Sequence, residues 1–129
     1  MEQIGYVILY TDDVGREIAF YRDVLGLPFR FRDRAYAEFG LHNTRLGLFD
    51  RSGLGELLGP EGAERRPDGE ILFLVPEVDA WAGRLRAAGV RILSGPVDRP
   101  WGHRTLHVLD PDGHVVELAQ EIPRTRPRP

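Results

Sequence analysis

The chain has no cysteine and no lysine, and each absence removes a class of chemistry. Without thiols there are no disulfides, no thiolate metal ligands and no cysteine nucleophile. Without lysine there is no side-chain amine for a Schiff base. No apolar run approaches the length of a membrane span, and no basic stretch followed by an apolar one opens the chain. The expectation is a cytoplasmic protein without signal peptide or membrane anchor. An excess of positive charge is also missing: the net charge is −3 and the pI about 5.8. That leaves no electrostatic footprint for nucleic acid. The exception is the terminal Arg/Pro stretch, which reads as a disordered tail over 123–129.

What is present suits one globular domain. The 129 residues are 42% hydrophobic and 29% charged, enough for a single core. The most informative stretch runs from Arg104 to Ala119, where two strand-like runs flank Asp110-Pro111-Asp112-Gly113. Proline presets one φ and glycine accepts a positive one, so these four residues read as the turn of a β-hairpin. Glu117 sits inside the second run between Val116 and Leu118. Strand side chains alternate, so this carboxylate points away from both neighbours and meets either solvent or a cavity.

Taken in order, Gly5 to Thr11 reads as a strand, Val14 to Leu25 as a helix capped by Asp13 and stopped by Gly26, and the next segments to Phe49 as three short strands. Residues 51–69 are glycine-rich and read as a linker, with one helical turn around Glu56-Leu57-Leu58. Then the pattern restarts: a strand at Ile71 to Val75, a helix at Val78 to Ala88, a strand at Val90 to Leu93, and the closing hairpin. The chain is therefore an internal repeat of β-α-β-β-β, with a first module at 1–50 and a second at 70–122. Neither half can bury a sheet alone, so an α+β fold is expected in which two curved mixed sheets pair around a central trough.

With the repeat in hand, four local sequences resemble the vicinal oxygen chelate superfamily of glyoxalases, bleomycin resistance proteins and dioxygenases. They are Tyr6 to Asp13, Ala19-Phe20-Tyr21-Arg22-Asp23-Val24-Leu25-Gly26-Leu27, Pro100 to Arg104, and Asp110 through Leu118. The resemblance implies metal ligands at four equivalent points, which fall here on Tyr6, Gly47, Glu70 and Glu117. Tyr6 stands where the family has histidine, and Gly47 offers no side chain. Two carboxylates and a phenol make a poor site for Zn, Ni or Fe, so no metal and no cofactor is expected, the alternative being one divalent ion on Glu70 and Glu117.

The histidines do not repair that set on a four-residue turn. His103 and His107 share a face, but such a turn puts Leu106 opposite Glu117 and directs both histidines elsewhere. The same register places Arg104 near Glu117 as a neutralising partner. Trp101 stacks on a flat ligand or packs under its loop; Phe31, Tyr36 and Phe39 supply core or pocket wall. The expected ligand-binding set is Tyr6, Glu70, Trp101, Arg104, Glu117, Phe31, Tyr36 and Phe39. The function expected is metal-free binding of a small organic ligand. One alternative is a metal-dependent lyase, isomerase or dioxygenase with Glu117 as the catalytic base; another is an interaction module with a vestigial trough. The resemblance also implies a homodimer.

Overall fold

The computed structural model describes residues 1 and 3–125. It contains eight strands: β1 (Ile4–Thr11), β2 (Phe29–Asp33), β3 (Tyr36–Gly40), β4 (Arg45–Asp50), β5 (Gly69–Leu74), β6 (Ile92–Arg99), β7 (His103–Leu109) and β8 (Val115–Glu121). They form one open sheet in the order β2-β3-β4-β1-β5-β8-β7-β6. Each half contributes four neighbouring strands, and the halves meet where β1 runs antiparallel to β5 with Val7 opposite Ile71. The expected pair of curved mixed sheets is thus one continuous sheet joined within a single chain.

Three helices cover it. In α1 (Val14–Ile18) the Asp13 side chain accepts from the Arg16 amide, and the helix continues as a π-helical segment, Ala19–Val24, to Gly26 with φ +72°. Val14 and Ile18 bury against Ala37, Phe39 and Leu48 on one face of the first half. On the equivalent face of the second half, Val78 and Ala82 of α3 (Val78–Ala87) bury against Leu106, Val108 and Leu118.

The opposite face is the trough, and its contents differ from the sequence expectation. Residues 51–69 are not a linker with one helical turn: a 3₁₀ turn, Arg51–Gly53, leads into α2 (Leu54–Glu64). Leu54 and Leu58 of α2 bury against Ile8, Tyr10, Leu72 and Val115, so the connection is the trough's apolar filling. Gly59 at φ +81° followed by Pro60 kinks the helix, which is why its periodicity is hidden in the sequence. Beyond β8, the Thr125 amide donates to the Pro100 carbonyl at 2.9 Å. The remainder of the expected disordered tail, 126–129, lies outside the described residues.

The β1–β5 seam has no room for a side chain at Gly69, where a Cβ would stand 2.5 Å from the Ile8 carbonyl oxygen. Gly83, exposed within α3, has nothing within 4 Å of its would-be Cβ. Gly69→Ala is therefore expected to destabilise the fold by about 1–3 kcal/mol through strain. Gly83→Ala is expected to stabilise it by about 0.5–1 kcal/mol by lowering the entropy of the unfolded chain. Urea denaturation of the two variants against the parent checks both signs.

Candidate functional site

The hairpin between β7 and β8 decides what meets Glu117. The Asp110 side chain accepts from the amides of Asp112 at 3.0 Å and His114 at 2.8 Å, and the Asp110 amide donates to the His114 carbonyl at 3.0 Å. His114 is thereby held in the loop, Leu109 pairs with Val115, and His107 stands opposite Glu117. The expected pairing of Leu106 with Glu117 is wrong by one residue, and in a strand one residue exchanges the faces. Leu106 pairs with Leu118 and faces α3 instead.

On the trough face, β5, β7 and β8 bring together Glu70, His107 and Glu117, all buried. His107 Nε2 lies 3.1 Å from Glu70 Oε2 and 3.0 Å from Glu117 Oε1. The Tyr10 hydroxyl donates to Glu70 Oε2 at 2.8 Å. Burial alone would lower the pKa of His107, but the charges of Glu117 and Glu70 outweigh it and push the imidazole up to about 10. Burial would likewise raise Glu70; the His107 charge and hydrogen bonds from His107, Glu117 and Tyr10 hold it low. Glu117 is raised, first by burial and then by the Glu70 charge. Tyr10 is raised by burial and by Glu70 and stays a donor. His107 thus shares its Nε2 between two carboxyl groups whose proton affinities are pushed in opposite directions.

Two cavities open toward it. The inner one, about 40 Å³, reaches Ile8, Tyr36, Glu70 and Glu117. The outer one, about 330 Å³, is flanked by Arg34, Glu56 and Arg99. Phe49, Leu57 and Trp101 line both, so the two cavities share an apolar wall beside the buried acids.

The sequence-derived set divides accordingly. Glu70, Glu117, Trp101 and Tyr36 line the cavities. Phe31 stands beside Tyr36 with ring centroids 6.0 Å apart. Tyr6 is on the trough face but sets its ring edge-on to His103, at 6.0 Å. Two expectations fail. Phe39 is fully buried beneath α1, because its β3 position alternates away from the trough. Arg104 lies on the α3 side, bound to Asp79 at 3.0 Å and Asp98 at 2.8 Å; the cation beside Glu117 is His107. Counting His114 into the turn would have revealed His107, and alternation along β1 places Tyr10 on the face of Tyr6.

The positions at which the family resemblance implies metal ligands do not suit an ion. A Cβ on Gly47 would fall 2.8 Å from Tyr36 ring and hydroxyl atoms, and Tyr6 is neither histidine nor carboxylate. Glu70, His107 and Glu117 have suitable donor types, with ligand atoms within 4.8 Å of one another. Yet Nε2 of His107 is shared between the two carboxylates, and Tyr10 occupies the Glu70 oxygen.

This arrangement fixes a pH dependence. His107 and Glu117 bind protons more tightly in the folded chain, so their contributions are complete below their ordinary values and fade as pH rises through the raised ones. Glu70 acts oppositely, its contribution fading as pH falls below the ordinary carboxylate range. The melting temperature is expected to decline from about pH 5 toward pH 10, and Glu117→Gln to flatten the lower part of that decline. Thermal unfolding across that range checks it; an unchanged slope in Glu117→Gln would contradict the assignment.

Comparison with known proteins agrees with this geometry. The Glyoxalase/Bleomycin resistance protein/Dioxygenase superfamily profile matches residues 3–118. The Bacillus subtilis protein YraH is 31% identical over 117 residues, spanning 85% of this chain and 91% of YraH. The anthracycline biosynthesis protein DauV of Streptomyces sp. strain C5 is 36% identical over 126 residues, which are 93% of this chain but 43% of DauV. Among solved structures, a superfamily member from Vibrio splendidus shares the fold with a TM-score of 0.66 at 17% identity, covering 92% of this chain and 98% of that one. With a doubled β-α-β-β-β pattern, one curved open sheet and a profile match along nearly its whole length, the chain belongs to the glyoxalase/bleomycin resistance protein/dioxygenase superfamily.

Proposed function

We propose that the chain binds a small, flat organic molecule in its trough and does so without a metal ion. The observation that carries this reading is the wall of Phe49, Leu57 and Trp101 shared by a cavity of about 330 Å³ and a smaller one, of about 40 Å³, that reaches two buried acids. Aromatic and aliphatic walls with a few convergent polar groups are what a small-molecule site needs. In the smaller cavity Glu70 Oε1 has no hydrogen-bond partner among the described residues, so a ligand that brings a donor gains a bond there. The name of DauV, from anthracycline biosynthesis, supports an aromatic ligand.

Binding at this site stabilises the folded chain. A flat aromatic ligand at 100 times its Kd is expected to add about 2.7 kcal/mol, visible as a rise in melting temperature. Trp101→Ala and Glu117→Ala should each remove most of that rise. A panel of mono- and polycyclic aromatics, screened by thermal shift after elemental analysis of the purified protein, provides the test. A stoichiometric divalent ion that is lost in Glu117→Ala would replace this reading with that of a metal-dependent lyase, isomerase or dioxygenase. No shift with any aromatic would leave the trough without a ligand and overturn the proposal.

A further inference from the structure

Arg99, the last residue of β6, stands at the mouth of the trough. Its Nε donates to Thr105 Oγ1 at 3.1 Å, one terminal nitrogen donates to the Leu57 carbonyl at 3.3 Å, and its Cζ lies 5.9 Å from the centre of the Trp101 ring. Both hydrogen bonds go to neutral oxygens; the charges of Glu117, Glu56 and Glu70 act on Arg99 from a distance, with no ion-pair contact among the described residues. Of the acids beside it in the outer cavity, Asp98 is bound by Arg104 at 2.8 Å and Glu56 faces solvent. Arg34, in the β2–β3 turn, adds a second cation to the same cavity.

A partly buried guanidinium that hydrogen-bonds only to neutral groups has unused capacity for an anion, and a carboxylate would meet it with charge-assisted bonds. The inner end has the opposite need, since the buried Glu70 Oε1 lacks a donor. Phe49 and Trp101 lie between, lining both cavities.

We propose that the ligand is a hydroxylated aromatic acid: its rings lie against Trp101 and Phe49, its carboxylate is held by Arg99 at the mouth, and its hydroxyl donates to Glu70 Oε1 at the floor. This rests on the trough being an aromatic-binding site and adds the polarity of its two ends. A neutral aromatic would leave Arg99 without an anion in hydrogen-bond contact, and an acid without a hydroxyl would leave the floor without its donor. Each missing group forfeits a directed hydrogen bond.

Calorimetric titration with four naphthalenes tests this: 6-hydroxy-2-naphthoate, its methyl ester, 2-naphthoate and 2-naphthol. The hydroxy acid is expected to bind tightest, with the ester and 2-naphthoate each about tenfold weaker. Arg99→Gln should erase the difference between acid and ester while keeping the preference for the hydroxyl, and Arg99→Lys should restore part of it. An ester that binds the parent protein as well as the acid would overturn the proposal, as would equal weakening of both by Arg99→Gln. If 2-naphthol still binds in those cases and Trp101→Ala abolishes it, aromatic binding survives and only the carboxylate assignment falls. If no naphthalene binds, both fall together.

Discussion

A charged imidazole buried between two carboxyl groups sets the terms for the rest of this molecule. His107 touches Glu70 on β5 and Glu117 on β8, and none of the three tolerates being left alone away from water. Removing one partner of such a cluster costs about 3–5 kcal/mol, because it strands a buried charge. The cluster therefore ties three strands of the second half to one register, while Tyr10 reaches from the first half to the same carboxylate. Leu54 and Leu58 of α2 bury beside these strands and keep water from the face that carries it.

The two halves have diverged in a way that leaves one site rather than two. In the first half Gly47 pairs with Glu38, as Glu117 pairs with His107 in the second. Glycine leaves space, and the Tyr36 ring fills it, its hydroxyl donating to Glu38 at 2.7 Å. Glu38 is neutralised from the outside by Arg30 and Arg45. The same scaffold positions thus hold a polar plug in one half and a buried acid–histidine cluster in the other.

Much of this was legible from the sequence because it depends on periodicity. The repeated β-α-β-β-β order and the helices opened by Val14 and Val78 follow from spacing, while the pairing of Glu70 with Glu117 came from the family resemblance. What escaped depends on single residues. Whether Asp110 holds four or five residues in its loop is a matter of two side-chain hydrogen bonds, and it moved His107 from bystander to centre. The α2 helix escaped because Gly59 and Pro60 interrupt a pattern that Leu54 and Leu58 otherwise carry. Arg104 and Arg99 are alike in composition and local setting; only the strand face separates the one bound to α3 from the one at the trough.

The seam between β1 and β5 also bears on how the chain is made. β1 lies between β4 and β5, and β5 lies between β1 and β8, the last of the described strands. During synthesis the first four strands emerge with the β1 edge unpaired, and that edge is a template for any extended segment nearby. Even when β5 arrives to cover it, β5 itself has no second neighbour until residues 115–121 have left the ribosome. Glu70 is then an acid on an open strand awaiting the histidine and glutamate that complete its surroundings. The order of translation makes the final hairpin the closing event, and the nascent chain carries its most adhesive edge until that event occurs.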